Sequence, residues 1–349
     1  MRAAFSRDQY PQTFHAAFAS SAPVQAQIDM SAYYEQVYRG LVAYGYGNCT
    51  RDIHAAYTYI DRQLRRHRTA ANIKELFFGK EARHATNGDF TAALGTIFWT
   101  WQSAGPGTGE TGVSSFCDWL ETDPETGATA PAEGFARKKG AKAMAERFAA
   151  YPALAKLANA NFNTNCRGTD AEKPTGCDLG KRFEDPVMIS WTWQYCTEWG
   201  YYQVKNWEPN SILSRYQTLR YQQEVCNRQF PDGVKNGLLP RRPRTFETNL
   251  KNKGWYMRPS NVYFSAGQYD PWTTLSVLST EHFAPRGVKV SSEIPECGVS
   301  TGRDTIFGSL IPNAEHCYDF KTPFKGGDAS RKLFKDALHK WLPCFEKSG

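Results

Sequence analysis

No apolar run in this chain approaches the length that crosses a bilayer, so no membrane-spanning segment is expected. There is no signal peptide either, because Met1-Arg2-Ala3-Ala4-Phe5-Ser6-Arg7-Asp8 turns polar almost at once. Charge of one sign is scarce: 42 Lys and Arg against 35 Asp and Glu leave a net +7. The densest basic clusters are Arg62, Arg65, Arg66 and Arg68, then Arg137, Lys138, Lys139 and Lys142, then Arg241, Arg242 and Arg244. Each is short and interrupted. With no nucleic-acid-binding module beside them they read as solvated faces, and nucleic acid is not an expected partner. No C-x-x-C pair occurs, and His15, His54, His67, His84, His282 and His339 show no metal-ligand spacing, so neither a metal nor a cofactor is expected. Internal repeats and low-complexity tracts are also absent.

Cysteine, by contrast, is plentiful. Nine residues, at positions 49, 117, 166, 177, 196, 226, 297, 317 and 344, are too many for routine use in a reducing compartment, which points to an exported protein with disulfides. Cys166 and Cys177 bracket the polar loop R-G-T-D-A-E-K-P-T-G and are the best candidates for one bridge. The odd count leaves one thiol free or paired outside the chain. Asn48-Cys49-Thr50 is a glycosylation sequon at Asn48, consistent with secretion. An export-type cysteine set without an export signal leads to the expectation that the front of the protein lies outside this sequence.

At 349 residues the chain can bury a large core, and an α/β domain with a sizeable helical insertion is the natural reading. Residues 1–12 read as the tail of a helix and His15–Val24 as a strand. From Ser31 the spacing becomes helical: Tyr34, Val37, Tyr38 and Leu41, then Ile53, Tyr57, Ile60 and Leu64. Residues 89–103 and 135–158 continue the pattern. Val187–Gln203, the most aromatic part of the chain, reads as a core strand, Ser211–Glu224 as a helix, and Asp328–Leu342 as a last helix packed on the sheet.

Two stretches carry chemistry. In Asn261–Trp272, N-V-Y-F-S-A-G-Q-Y-D-P-W, a short apolar strand meets Gly267 and turns sharply, placing Asp270 just past its end. In Ile311–Phe320, I-P-N-A-E-H-C-Y-D-F, another strand feeds a turn and His316 follows. An acid after one strand and a histidine after the next are the last two members of a Ser…Asp…His triad in α/β-hydrolase order. Taken alone, His316 would be a loop histidine and Asp270 a turn acid.

These segments, with F-A-S-S-A-P-V (Phe18–Val24), W-T-W-Q-Y-C-T-E-W-G (Trp191–Gly200) and C-N-R-Q-F-P (Cys226–Pro231) in the same order, resemble the prolyl carboxypeptidase and dipeptidyl peptidase II family of serine peptidases. The long interval between Asp270 and His316 is similar to its fungal branch of acid prolyl endopeptidases. The resemblance implies an α/β-hydrolase fold with an inserted helical cap: residues 1–30 as core following the nucleophile turn, 31–185 as cap with an end anywhere up to about 230, and 186–349 as the returning core. It implies Asp270 and His316 as catalytic residues and Trp272 as a wall of the proline pocket, with Trp199 and Tyr201 as further walls. Glu198, the one acid in that aromatic run, should be partnered or face the cleft. The implied substrate is a proline-containing peptide, cut after proline without metal or cofactor, in a secreted, vacuolar or lysosomal setting.

Departures are visible too. Cys317 stands where animal relatives carry a second histidine. No G-x-S-x-G precedes Asp270, as the order Ser…Asp…His requires; the one match, Gly298-Val299-Ser300-Thr301-Gly302, stands after it, and the family's register sets Met1 about one helical turn beyond the serine. The expectation is therefore a serine peptidase without its nucleophile segment. The alternative is a non-catalytic peptide-binding relative. Without the preceding strands, Val262–Phe264 and the 308–312 strand would expose apolar faces.

Overall fold

The computed structural model describes residues 1–107 and 109–346. The chain divides into two compact units. One is Met1–Ile28 with Glu198–Tyr201 and the chain from Pro243 on; the other is Asp29–Thr197 with Tyr202–Arg242.

The first unit is built on a four-stranded sheet of β1 (Ala17–Ser20), β4 (Val262–Gly267), β5 (Lys289–Ser291) and β6 (Thr305–Ile311), in the order β1-β4-β6-β5 with every pairing parallel. A separate two-stranded sheet pairs β2 (Gln27–Asp29) with β3 (Gly200–Tyr202). Parallel strands need helices on both faces, and the side-chain alternation of β4 shows how they are recruited. Val262, Phe264 and Ala266 point to one face, packing with Ala4 of the Arg2–Gln9 helix, Ala17, Ala19 and Ile306. Tyr263 points to the other, against Phe307 and, from the C-terminal helix Asp328–Glu346, Ala337 and Trp341. All six residues of β4 are buried, so the apolar exposure expected for this strand does not arise: β1 and β6 cover its edges and a helix covers each face.

The second unit is helical. Its long helix Gly47–Gln63 buries Ile53, Ala56, Tyr57 and Ile60, the i, i+3, i+4, i+7 stripe of an amphipathic helix. Three disulfides brace it, Cys49–Cys117, Cys166–Cys177 and Cys196–Cys226, while Cys297–Cys344 lies in the first unit and Cys317 is free.

Two sequence expectations are corrected. The aromatic run is a helix, Pro186–Gln194, followed by a π-type turn at Tyr195–Trp199; only Gly200–Tyr202 is strand. Asp185 caps that helix by accepting from Met188 N at 2.8 Å, and Pro186 occupies its first position, where a missing N–H costs nothing. Those start signals override the strand preference of the aromatics. Likewise the helix placed at Ser211–Glu224 runs over Leu219–Gln229, because Thr218 is the residue whose hydroxyl caps it, accepting from Tyr221 N at 3.1 Å.

Candidate active site

β4 ends at Gly267, and three residues later Asp270 caps the short turn Pro271–Leu275, its Oδ1 accepting from Trp272 N at 2.9 Å. β6 ends at Ile311 and the chain doubles back over the end of β4: Gln268 N donates to Ile311 O and Tyr269 N to Ala314 O, both at 2.9 Å. That crossing requires glycine at 267. A Cβ there would sit 2.3 Å from the carbonyl oxygens of both Ala314 and Glu315, and backbone cannot swing aside as a side chain can. Gly267→Ala should therefore push the 312–316 segment off the strand end and cost about 1–3 kcal/mol in urea unfolding. In the same variant the His316 ring resonances should move toward those of a free imidazole. Unchanged stability and spectra would show that the close approach is not obligatory.

The crossing brings the two predicted residues together. His316 Nδ1 lies 3.2 Å from Asp270 Oδ1 and 3.3 Å from Oδ2. Asp270 is 0% exposed whereas the His316 side chain keeps 29% of its surface, so the carboxylate is sealed beneath an imidazole that reaches solvent. Burial pushes the imidazole pKa down, but the Asp270 hydrogen bond and the neighbouring Cys317 thiol push it up further, to about 10. Because the folded value lies above the unfolded one near 6.5, the pair's contribution to stability is complete below that pH and fades as pH rises through about 10.

Cys317 adopts the left-handed conformation with φ 55°, and its N–H donates to Ser21 Oγ at 2.8 Å. The Met1 amine is pushed down to about 6, chiefly by burial, with the charge of Cys317 acting the other way. The start of the Arg2–Gln9 helix is thus electrostatically coupled to the residue beside His316.

The aromatic candidates form a file of rings leading to the imidazole. Trp272 and His316 have centroids 6.2 Å apart, Tyr201 meets Trp272 edge-on at 5.4 Å, Trp199 stacks on Tyr201 at 6.0 Å, and Phe5 follows at 5.4 Å from Trp199. Glu198 does not join them. Its side chain is exposed while its carbonyl accepts from Thr248 Oγ1 at 3.0 Å; the π-type turn, absent from the strand expectation, turns it outward. Asn48 is half-buried in the first turn of the Gly47–Gln63 helix, its Oδ1 accepting from Cys49 N at 2.9 Å. Among the described residues the donor cluster with metal-like convergence is His15, Cys297 and Cys344, with atoms within 4.8 Å of one another, but its two sulfurs are joined to each other as a disulfide. No helix among the described residues is long and apolar enough to cross a membrane.

Sequence reasoning missed Asp319, three residues beyond His316 and buried at the sheet. Its trace was the H-x-x-D spacing itself.

Comparison with known proteins follows the same lines. The chain is 26% identical over 369 aligned positions to the thymus-specific serine protease of Mus musculus, covering 99% of this chain and 62% of that protein, and equally to the Homo sapiens protein of that name. It is 26% identical to the probable extracellular serine carboxypeptidase of Arthroderma benhamiae, covering 90% of this chain and 43% of that protein. The chain thus spans less than two thirds of the length of these relatives. The profile of serine carboxypeptidase S28 matches residues 1–288, which takes in Asp270 and stops before His316. With that match over more than half its length, a central parallel sheet and many helices, the chain belongs to the serine carboxypeptidase S28 family, an α/β-hydrolase fold with a helical cap.

Proposed function

We propose that this chain is the acid- and histidine-bearing portion of a serine peptidase that cuts peptides after proline, with the nucleophilic serine supplied by a segment outside this sequence. The observation that carries the proposal is the contact of 3.2 Å between His316 Nδ1 and the sealed carboxylate of Asp270, at the ends of adjacent parallel strands. In a triad the imidazole takes the serine proton at Nε2 and returns it to the leaving amine, while the carboxylate fixes the tautomer at Nδ1. No G-x-S-x-G precedes Asp270, and the one match, Gly298–Gly302, lies in the loop between β5 and β6 with Ser300 Oγ donating to Arg258 O at 2.9 Å; this and the 62% coverage of two relatives support a nucleophile elsewhere.

Trp272, Tyr201 and Trp199 would present flat apolar faces to a proline ring. Eight disulfide-bonded cysteines and the similarity to the probable extracellular serine carboxypeptidase of Arthroderma benhamiae support work outside the cell or in an acidic vacuolar or lysosomal compartment, with a glycan at Asn48.

The test is direct. The 349-residue chain alone should neither hydrolyse a Pro-Xaa peptide nor take up an organophosphate probe, and joining it to a serine-bearing segment of a relative should restore both. Stoichiometric labelling of the chain alone would mean that another serine, such as Ser20 or Ser21, has been recruited. Absence of both activities from the joined protein would favour a non-catalytic peptide-binding relative.

A further inference from the structure

We infer that Asp319 is the positioning residue of the histidine loop: by gathering three serine hydroxyls from separate elements, its buried carboxylate fixes the backbone that delivers His316 to Asp270. This inference rests on the reading of His316 and Asp270 as a functional pair.

The geometry begins in the sheet. Ser20, at the end of β1, is the register partner of Ser265 on β4, and Ser265 is in turn the partner of Ser309 on β6, so three serines form one row across adjacent strands. Small side chains in a row leave space above the sheet, and Asp319 fills it. Ser20 Oγ donates to Asp319 Oδ1 at 2.5 Å, and Ser265 Oγ and Ser330 Oγ donate to Oδ2 at 2.5 and 3.0 Å, Ser330 coming from the C-terminal helix. Asp319 is 1% exposed. A carboxylate offers only acceptors, so all three serine protons must point at it. With its proton committed, Ser330 accepts from the Tyr263 hydroxyl at 2.9 Å, and Tyr263 accepts from Ser309 at 2.5 Å. The directions of five groups are therefore set by one charge.

Burying a carboxylate is costly unless it is fully satisfied, and a strand interior gains nothing from serine at three successive partner positions on packing grounds. Together they make sense as a built seat. The seat lies three residues from His316, and the intervening chain has little freedom. Cys317 N donates to Ser21 Oγ at 2.8 Å, Tyr318–Phe320 is a tight turn, and Arg331 donates to Asp319 O at 2.9 Å and Phe324 O at 2.9 Å. The loop is thus fastened to the end of β1 on one side of Cys317 and to the sheet and C-terminal helix on the other. The imidazole is left to meet Asp270 on its free side. Around the ring stand Asp270, the Cys317 thiol and Trp272, with Lys321 and the Met1 amine coupled to Cys317.

The experiment is a proton and carbon NMR titration of the His316 ring in the 349-residue chain, comparing wild type with Asp319→Asn, Ser20→Ala and Asp270→Asn, with circular dichroism to verify folding. Asp319→Asn should lower the His316 midpoint by at least tenfold in proton affinity while leaving the circular dichroism spectrum intact. Ser20→Ala, which removes one donor and no charge, should move it less and in the same direction, and it decides the matter if Asp319→Asn does not fold. An unchanged His316 midpoint in a folded Asp319→Asn or Ser20→Ala chain would overturn the positioning role. A wild-type His316 that titrates as a free imidazole, or a midpoint indifferent to Asp270→Asn, would instead remove the Asp270–His316 pair and the positioning role with it.

Discussion

Asp270→Asn should lower kcat for Pro-Xaa cleavage by about 10^4 with little change in KM, once the chain is joined to its serine-bearing segment. The reason is the tautomer. Trp272 N already donates to Asp270 Oδ1 at 2.9 Å, and that bond would orient the new amide with its oxygen toward Trp272 and its NH2 toward His316. Facing a donor, Nδ1 must accept, and the ring proton moves to Nε2, where the serine proton has to be received. Substrate contacts lie elsewhere, so binding is spared. The same substitution removes the first of the upward influences on the imidazole while leaving the burial that pushes it down. Its pKa should therefore drop from about 10, which a ring titration of the 349-residue chain measures without any catalysis. A loss in kcat under tenfold would mean that Asp270 is a turn acid and that some other group orients His316.

What the sequence disclosed about this site was the chemistry written in local order. Val262–Gly267 is a short apolar run stopped by glycine, and both features follow from a strand buried on two faces that must end where another loop crosses it. Asp270 and His316 were legible because each follows such a strand. The helix Pro186–Gln194 was not legible from its aromatics, since bulky flat residues favour strands; the deciding residues are Asp185 and Pro186, two start signals that outweigh that preference. Glu198 turns outward with the π-type turn that follows this helix. Asp319 and its serines were hidden for a different reason. Ser20 and Ser265 lie 245 positions apart, and only the parallel register that makes them neighbours turns two unremarkable strand residues into one seat. Hydrogen-bonded networks of this kind belong to topology, and no window along the chain contains them.

In the helical unit, stability should fall as pH rises, by about 2 kcal/mol between pH 5 and 6.5, and Glu121→Gln should abolish most of that fall. Glu121, at the end of the Val113–Glu121 helix, is 4% exposed, and among the described residues neither of its oxygens meets an N–H or O–H donor. The group it does face is Asp52, whose own oxygens are taken by Phe135 N at 2.6 Å and Ala136 N at 2.7 Å. Two acceptors cannot bond without a proton between them. Burial raises Asp52 as well, but its two backbone donors pull it back toward the ionised state, so the proton sits on Glu121, whose pKa is pushed up to about 9 by burial first and then by the charge of Asp52. Arg51, the nearest cation in sequence, is turned away to the carbonyl of Ala132. Gly134 keeps the site tight: a Cβ on it would stand 2.4 Å from Asp52 Oδ1.

The sign follows from proton counting. The unfolded chain releases this proton near pH 4.3 and the folded chain near 9, so across that window the native state binds one more proton and loses about 1.4 kcal/mol of stability per pH unit. Urea unfolding at pH 5 and 6.5 isolates the effect, because the similar contribution of His316 begins only near and above pH 6.5. Glutamine can still donate to Asp52 but cannot titrate, so its stability should be nearly level across the same interval. Parallel losses in both proteins would assign the slope to other groups. A helical unit held together by a shared proton is one suited to acid, and a rise toward neutral pH would loosen this unit before any change reached Asp270 and His316.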